Sequence, residues 1–332
     1  MNRTTIASTL LAATAVGTLG AAFGSATPAF ADRDRDNGHA AVYNLHGDAV
    51  DANNPAGSKF EGIGADEKRG RFYVSEVTGG EVHRGTARSG ETEEWLAGDG
   101  TDGRFTARGV TVDHAGRVYV AGGPNGIGTD RPDLWVYDAD GTLLAALRAP
   151  GTEVFLNDVA IGPDGAAYFT NSNDAQIFRV ADDGAGWEAS LWSDATATIE
   201  RRAGFNLGGI VLTADRSAFV VAQGNTGRLW RFATATGDVS AVDTGGADLV
   251  DADGLVRQGN RLTVVRNFSR MLAHLRLDAD GSRAALLDQE ATAADRVLTT
   301  AKVLRGRILF VDSKFDEAVP SAPYQVVTDP AR

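Results

Sequence analysis

The stretch RFYVSEV at 71–77 returns five more times along the chain, as RVYVAGG at 117–123, AAYFTNS at 166–172, SAFVVAQ at 217–223, RLTVVRN at 261–267 and RILFVDS at 307–313. Aligned on Tyr73, Tyr119, Tyr168, Phe219, Thr263 and Leu309, the copies lie 46, 49, 51, 44 and 46 residues apart. Each is a short apolar run rich in β-branched and aromatic residues, the composition of a strand. Most follow a turn of Asp, Gly and Lys or Arg, such as DHAGR, GPDGA and RQGNR, which is hairpin chemistry. A further apolar run stands before each turn, and another follows the strand, as in DLWVYD, AQIFRV, GRLWRF and MLAHLRL. Three or four short strands per repeat, with no helical periodicity between them, describe the blade of a β-propeller. A β-sandwich also has regular hairpins, but it does not reproduce one long unit six times.

The sixth copy ends in PYQVVTDP at 323–330, and an unassigned strand, AAVYNL at 40–45, precedes the first. The chain is therefore expected to be all-β: a six-bladed β-propeller, residues 39–332, closed by pairing of the N-terminal strand with the last blade. Closure removes exposed sheet edges, which favours the join.

Ahead of that domain, Arg3, an apolar run over 6–23 and Ala29-Phe30-Ala31 follow the order of a secretory signal peptide, residues 1–31. The run is interrupted by Thr and Gly and is too weak to span a bilayer, so no membrane span is expected. Residues 32–38, DRDRDNG, read as a flexible charged tail. The expected location is extracellular. The net charge of −12 repels phosphate backbones and excludes nucleic acid as a partner, while drawing cations in. With no Cys there is no disulfide, no thiolate nucleophile and no zinc–thiolate site. A chain of this length builds a sufficient core without them, and a monomer is expected.

In a propeller the innermost strands run along the axis, so one column of the repeat becomes a ring in space. The residue just before the Gly or its equivalent that opens each innermost strand is Glu61 (FEGI), Arg108 (ARGV), Asn157 (LNDV), Gly208 (LGGI), Asp253 (ADGL) and Thr300 (TTAK). Two carboxylates, a carboxamide and a hydroxyl aimed at one point suit a hard divalent cation: Ca²⁺ first, with Zn²⁺ or Mg²⁺ as alternatives. Arg108 offers a guanidinium fork to an anionic or carbonyl-bearing ligand, or neutralises the carboxylates. Polar residues before Gly also cap strands, and that reading stands beside the metal one. A second column, Glu76, Asn171, Arg266 with Asn267, and Asp312, lies toward one end of the next strand outward; sequence leaves open which rim that end belongs to.

FEGIG, FLNDVAIGPDGAAYFTNS, NLGGIVLTADRSAFVVA and DADGLVRQGNRLTVV resemble the gluconolactonase and senescence-marker-protein (regucalcin-like) family, over most of residues 60–315. The resemblance looks closest to exported actinobacterial members. It implies a single axial divalent metal and hydrolysis of a sugar lactone or similar ester. The family's metal ligands fall on Glu61, Asn157 and Asp253, and its general base on Asp253. Asn157 and Arg108 are then candidates for contacting a small-molecule substrate. The family's fourth ligand, an Asn, falls on Gly208, which has no side chain; Asn206, two residues earlier, is a candidate replacement. Two further readings remain: a non-catalytic propeller binding a small ligand or protein partner, and an interaction platform that uses its loops.

The five histidines, at 39, 46, 83, 114 and 274, occupy unrelated positions in the repeat and read as surface or packing residues. GGPNGIG at 122–128 lacks the strand-to-helix context of a phosphate loop and reads as a long loop overhanging one mouth. The tryptophans, at 95, 135, 187, 192 and 230, stand in or beside outer strands and are expected to pack between blades.

Overall fold

The computed structural model describes residues 39–48, 57–123, 131–152 and 154–331. The expected signal peptide, the charged tail and most of the 122–128 loop lie outside the described residues. Six four-stranded antiparallel sheets follow one another along the chain. Their innermost strands are Phe60–Asp66, Val110–Val112, Leu156–Ile161, Leu207–Leu212, Ala252–Gln258 and Leu298–Leu304, opening blades one to six. Each touches the next, and the last touches the first, so the ring is closed. This is the six-bladed β-propeller expected from the repeat.

Blade six contains only three strands from the C-terminal part of the chain. Its fourth and outermost is Val42–Leu45, paired antiparallel with Tyr324–Val327 in the register Val42↔Val327 and Leu45↔Tyr324. The N-terminal strand thus closes the circle as expected.

The visible repeat has a physical origin. The second strand of each blade lies between the neighbouring blades and is buried on both faces; Ala218–Gln223 is buried at every residue, and Arg71–Glu76 at all but the first. Such a strand has no solvent face on which polar residues could alternate, so it reads as an apolar run. The outermost strands, such as Leu143–Leu147, are largely exposed and leave no comparable signature. The core is divided into six apolar clusters, one at each blade interface. The cluster around Phe60, Phe72, Tyr43 and Tyr324 joins blade six to blade one. Tryptophans sit at these seams: Trp95 against Tyr73 of blade one and Tyr137 of blade two, Trp192 against Tyr168 and Phe219. The packing role expected for them is the one observed.

One irregularity recurs at the position that matters for function. In five blades the pairing between the first and second strands slips by one residue just past the ring position, as between Phe60↔Glu76 and Ile63↔Val74. Such a bulge bends the strand and turns its extra side chain. The glycine that follows the ring residue is where the next blade's backbone passes. A Cβ on Gly62 would lie 2.0 Å from the Arg108 carbonyl oxygen, on Gly109 2.5 Å from that of Asn157, and on Gly209 2.4 Å from that of Asp253. The X-Gly pattern in the sequence therefore couples a pointing side chain to a close backbone crossing.

Candidate metal and ligand site at the axial mouth

Glu61, Arg108, Asn157, Gly208 and Asp253 line one cavity of about 410 Å³. Five of the six ring positions thus converge on a common mouth. Thr300 is not the sixth: the pairing Leu298↔Asp312, equivalent to Phe60↔Glu76, puts Thr299 at the ring position, and Thr300, one residue further, lies in a narrower space beneath with Gly62, Asp158 and Gly254. Its buried hydroxyl has no hydrogen-bond partner among the described residues. Phe205, Phe268 and Phe315 contribute aromatic walls to the cavity, and the first two are more than half exposed. Large exposed aromatics around a polar floor are a feature of ligand pockets.

The floor holds opposed charges out of water. Arg108 Nη1 donates to Glu61 Oε2 at 2.5 Å, with both side chains 8% exposed, and the guanidinium lies 4.2 Å from the centre of the Phe155 ring. Burial pushes the Glu61 carboxyl up, the Arg108 charge and hydrogen bond pull it back, and Asp158 adds to the rise. Asp253 has no such cation bonded to it. Burial drives its carboxyl well above the ordinary carboxylate range, and the Glu61 charge pushes the same way. Against this, Asn267 Nδ2 donates to Asp253 Oδ2 at 2.8 Å. Asn267 belongs to the second column of the sequence reading, and its contact fixes the orientation of Asp253.

Gly208 faces the same floor. A Cβ placed on it would lie 3.6 Å from the Asp253 carbonyl oxygen, 3.7 Å from Asn157 Oδ1 and 3.9 Å from Asp253 Oδ1. These are ordinary contacts, so the missing side chain leaves room between two oxygen donors. Asn206 does not replace it. Its Oδ1 accepts from the Arg202 amide at 2.9 Å, and its Nδ2 donates to the carbonyls of Arg202 and Ser172. The carboxamide lines the cavity but ties down its own loop.

Asn171, Arg266 and Asp312 of the second column have structural roles. Strand pairing puts Glu76, Asn171, Arg266 and Asp312 opposite Phe60, Leu156, Ala252 and Leu298, at the same end as the ring. The side chains of Asn171, Arg266 and Asp312 bond the loops beside their strands. Asn171 Oδ1 accepts from the amides of Phe155 and Asn173, Arg266 bonds the Val250 carbonyl and Asp248, and Asp312 pairs with Arg296 at 3.0 Å. Two histidines are more deeply placed than surface residues: His274 bonds Glu290 and Thr263, and His83 bonds Glu81. Among the described residues no helix is long and apolar enough to cross a membrane.

The floor offers two carboxylates and a carboxamide as oxygen donors, with an orphaned hydroxyl below, and this donor set fits a hard cation. The Arg108–Glu61 pair satisfies part of the negative charge without one.

An axial polar ring with these motifs defines a propeller of the lactonase type, and the family model described as the SMP-30/Gluconolactonase/LRE-like region matches residues 60–257. The chain belongs to that family. It is similar in structure to a calcium-binding protein, regucalcin, from Agrobacterium tumefaciens: 16% identity, 87% of this chain and 96% of that one, TM-score 0.56. A gluconolactonase from Xanthomonas campestris gives 18% identity, 82% and 86% coverage and a TM-score of 0.57. The major allergen Mala s 1 of Malassezia sympodialis gives 14%, 87% and 95%, and 0.63. At these identities the likeness establishes the fold alone. No curated protein matches the chain in sequence.

Proposed function

We propose that the chain is an exported, metal-dependent hydrolase of a lactone or similar small ester, acting as a monomer at its axial mouth. The observation that carries the reading is Asp253: a buried carboxyl, raised in pKa by desolvation and by Glu61, oriented by Asn267, at the floor of an aromatic-walled cavity. A carboxylate whose pKa is raised is a stronger base than an ordinary one and takes a proton from water more readily. Asn267 holds one Asp253 oxygen, leaving the other free to face a water. Arg108 sits beside Glu61 with its fork near the carbonyl end of a bound substrate, and Asn157 adds a carboxamide contact. Phe205 and Phe268 cover the apolar part of the ligand and exclude water. Glu61, Asn157 and Asp253 would hold the divalent cation, Ca²⁺ by analogy with the calcium-binding regucalcin. When bound, such an ion supplies Lewis-acid polarisation of the ester carbonyl.

One observation favours a second reading, a propeller that binds a ligand without turning it over. Gly208 removes a donor, and Arg108 already compensates Glu61. A single series separates the two. Chelator-stripped protein is titrated calorimetrically with Ca²⁺ and then assayed on a panel of sugar lactones and aryl esters. Saturable Ca²⁺ binding with turnover lost in Asp253→Ala supports the hydrolase; binding without turnover in the native chain supports the binder. Export is checked by expressing the full chain and sequencing the N-terminus of the protein in the medium, expected to begin at Asp32.

A further inference from the structure

The hairpin joining the second and third strands of blade one carries a second cluster of metal-ligating groups, separate from the axial floor. Arg71–Glu76 pairs with Val82–Thr86 in the register Ser75↔Val82 and Val74↔His83, and the Glu76 amide donates to the Glu81 carbonyl at 2.9 Å. Glu76 and Glu81 are therefore directly opposite, and His83, two residues beyond Glu81, shares their face. Like charges opposed across a ladder destabilise it. All three residues are nevertheless buried, with His83 at 1% and Glu76 at 1% exposure, and one ligand atom from each lies within 4.8 Å of the others.

Neighbouring contacts only partly satisfy this group. His83 Nε2 lies 3.1 Å from Glu81 Oε2, and Thr78 Oγ1 donates to Glu76 Oε1 at 3.0 Å. His83 Nδ1 is buried with no hydrogen-bond partner among the described residues. The guanidinium whose charge reaches Glu81, that of Arg104, bonds the carbonyls of Gly80 and Ala97 and the Tyr137 hydroxyl. Asp48, exposed just after the closing N-terminal strand, hydrogen-bonds Glu81. A third acidic residue thus adjoins the pair.

We propose that Glu76, Glu81 and His83 form a second cation site, taking a divalent transition metal of the Zn²⁺ class. One imidazole and two carboxylates are a Zn²⁺ or Mn²⁺ donor set, whereas Ca²⁺ takes oxygen alone. A bound dication would take the place of the proton that the hydrogen-bonded Glu76 and Glu81 carboxyls share and make both of them ligands. The site stands independently of the axial reading.

The test uses the full chain carrying Asp253→Asn, so that the axial floor does not contribute. Stripped protein is titrated with Zn²⁺, and separately with Co²⁺ while its visible absorption is followed. One equivalent is expected to bind, with Co²⁺ bands of an imidazole-containing site. His83→Gln or Glu76→Gln is expected to weaken Zn²⁺ at least tenfold and abolish those bands. Should His83→Gln fail to fold, Glu76→Gln decides on the same terms. No Zn²⁺ binding in the Asp253→Asn protein, or binding unchanged by these substitutions, overturns the proposal and leaves a proton-sharing hydrogen-bonded cluster.

Discussion

Replacing Gly208 by Asn asks whether the axial floor is one coordination sphere short of a donor. The backbone at 208 demands no left-handed conformation, a Cβ there meets its nearest neighbours at 3.6–3.9 Å, and the position lines the cavity, so the added Cβ displaces nothing. Loss of a strand glycine contributes roughly 0.5–1 kcal/mol of stability. Desolvation of a new carboxamide costs about 1–3 kcal/mol when no ion accepts it. The metal-free variant should therefore fold, at a cost within about 2.5 kcal/mol. For Ca²⁺ the added oxygen lies between Asn157 Oδ1 and Asp253 Oδ1. Outer-sphere partners alone are worth about 10–100-fold in metal affinity. A direct ligand should contribute at least that range, about 1.4–2.7 kcal/mol. Calorimetric titration of stripped wild-type and variant proteins reads the difference directly. The neighbouring position supplies the control: a Cβ on Gly209 would sit 2.4 Å from the Asp253 carbonyl and 2.7 Å from the Leu255 amide nitrogen. Gly209→Ala should therefore lower the melting temperature markedly, because backbone itself must move. A folded Gly208→Asn protein with unchanged or weaker Ca²⁺ affinity would refute the placement of the metal at this floor.

Asp253→Asn should stabilise the metal-free protein at neutral pH. The folded-state pKa is raised, so the acid's contribution is fully present below its unfolded value near 3.8 and is lost as pH rises through the folded value. Melting curves of stripped protein from pH 4 to 8 should show the wild type falling behind the variant as pH increases; parallel curves would contradict the buried-acid assignment. Arg108→Met leaves Glu61 buried without its partner, which should cost about 3–5 kcal/mol in the stripped protein. The same change should tighten cation binding, seen as a larger Ca²⁺-induced rise in melting temperature; a smaller rise would mean that Arg108 supports the metal rather than competing with it. Phe205→Ala and Phe268→Ala should raise KM for hydrophobic esters several-fold with little change in kcat, and a fall in kcat instead would assign them to the chemistry.

The blades were legible because their second strands are buried on both faces and carry an apolar run at a fixed spacing. The ring was legible because a column of a repeat becomes a circle, and Glu61, Arg108, Asn157 and Asp253 do line one cavity. Contacts made inside that circle were not. Glu61 and Arg108 stand in adjacent repeats, and nothing in their spacing distinguishes an ion pair from two independent ligands. Asn267 carried a signal, as part of the second column, but its turn toward Asp253 depends on a side-chain direction that its neighbour Arg266 does not share. Asn206 was misleading because a carboxamide before a Gly-Gly pair serves a loop as readily as an ion. The deep burial of His83 left no mark in the sequence because the group it bonds is an acid two residues away, Glu81, rather than another histidine.

The strand Val42–Leu45 touches blade one near Ala87–Thr92 but pairs along its length with residues some 280 positions further along the chain, so its sheet is incomplete until the last blade exists. Ring assembly is thus a long-range event, slow by the general relation between contact separation and folding rate. Deleting that strand would leave Tyr324–Val327 as a bare apolar edge. Such an edge can recruit the equivalent strand of a second molecule, so the clasp that makes one chain self-sufficient is also the part by which two chains could be exchanged.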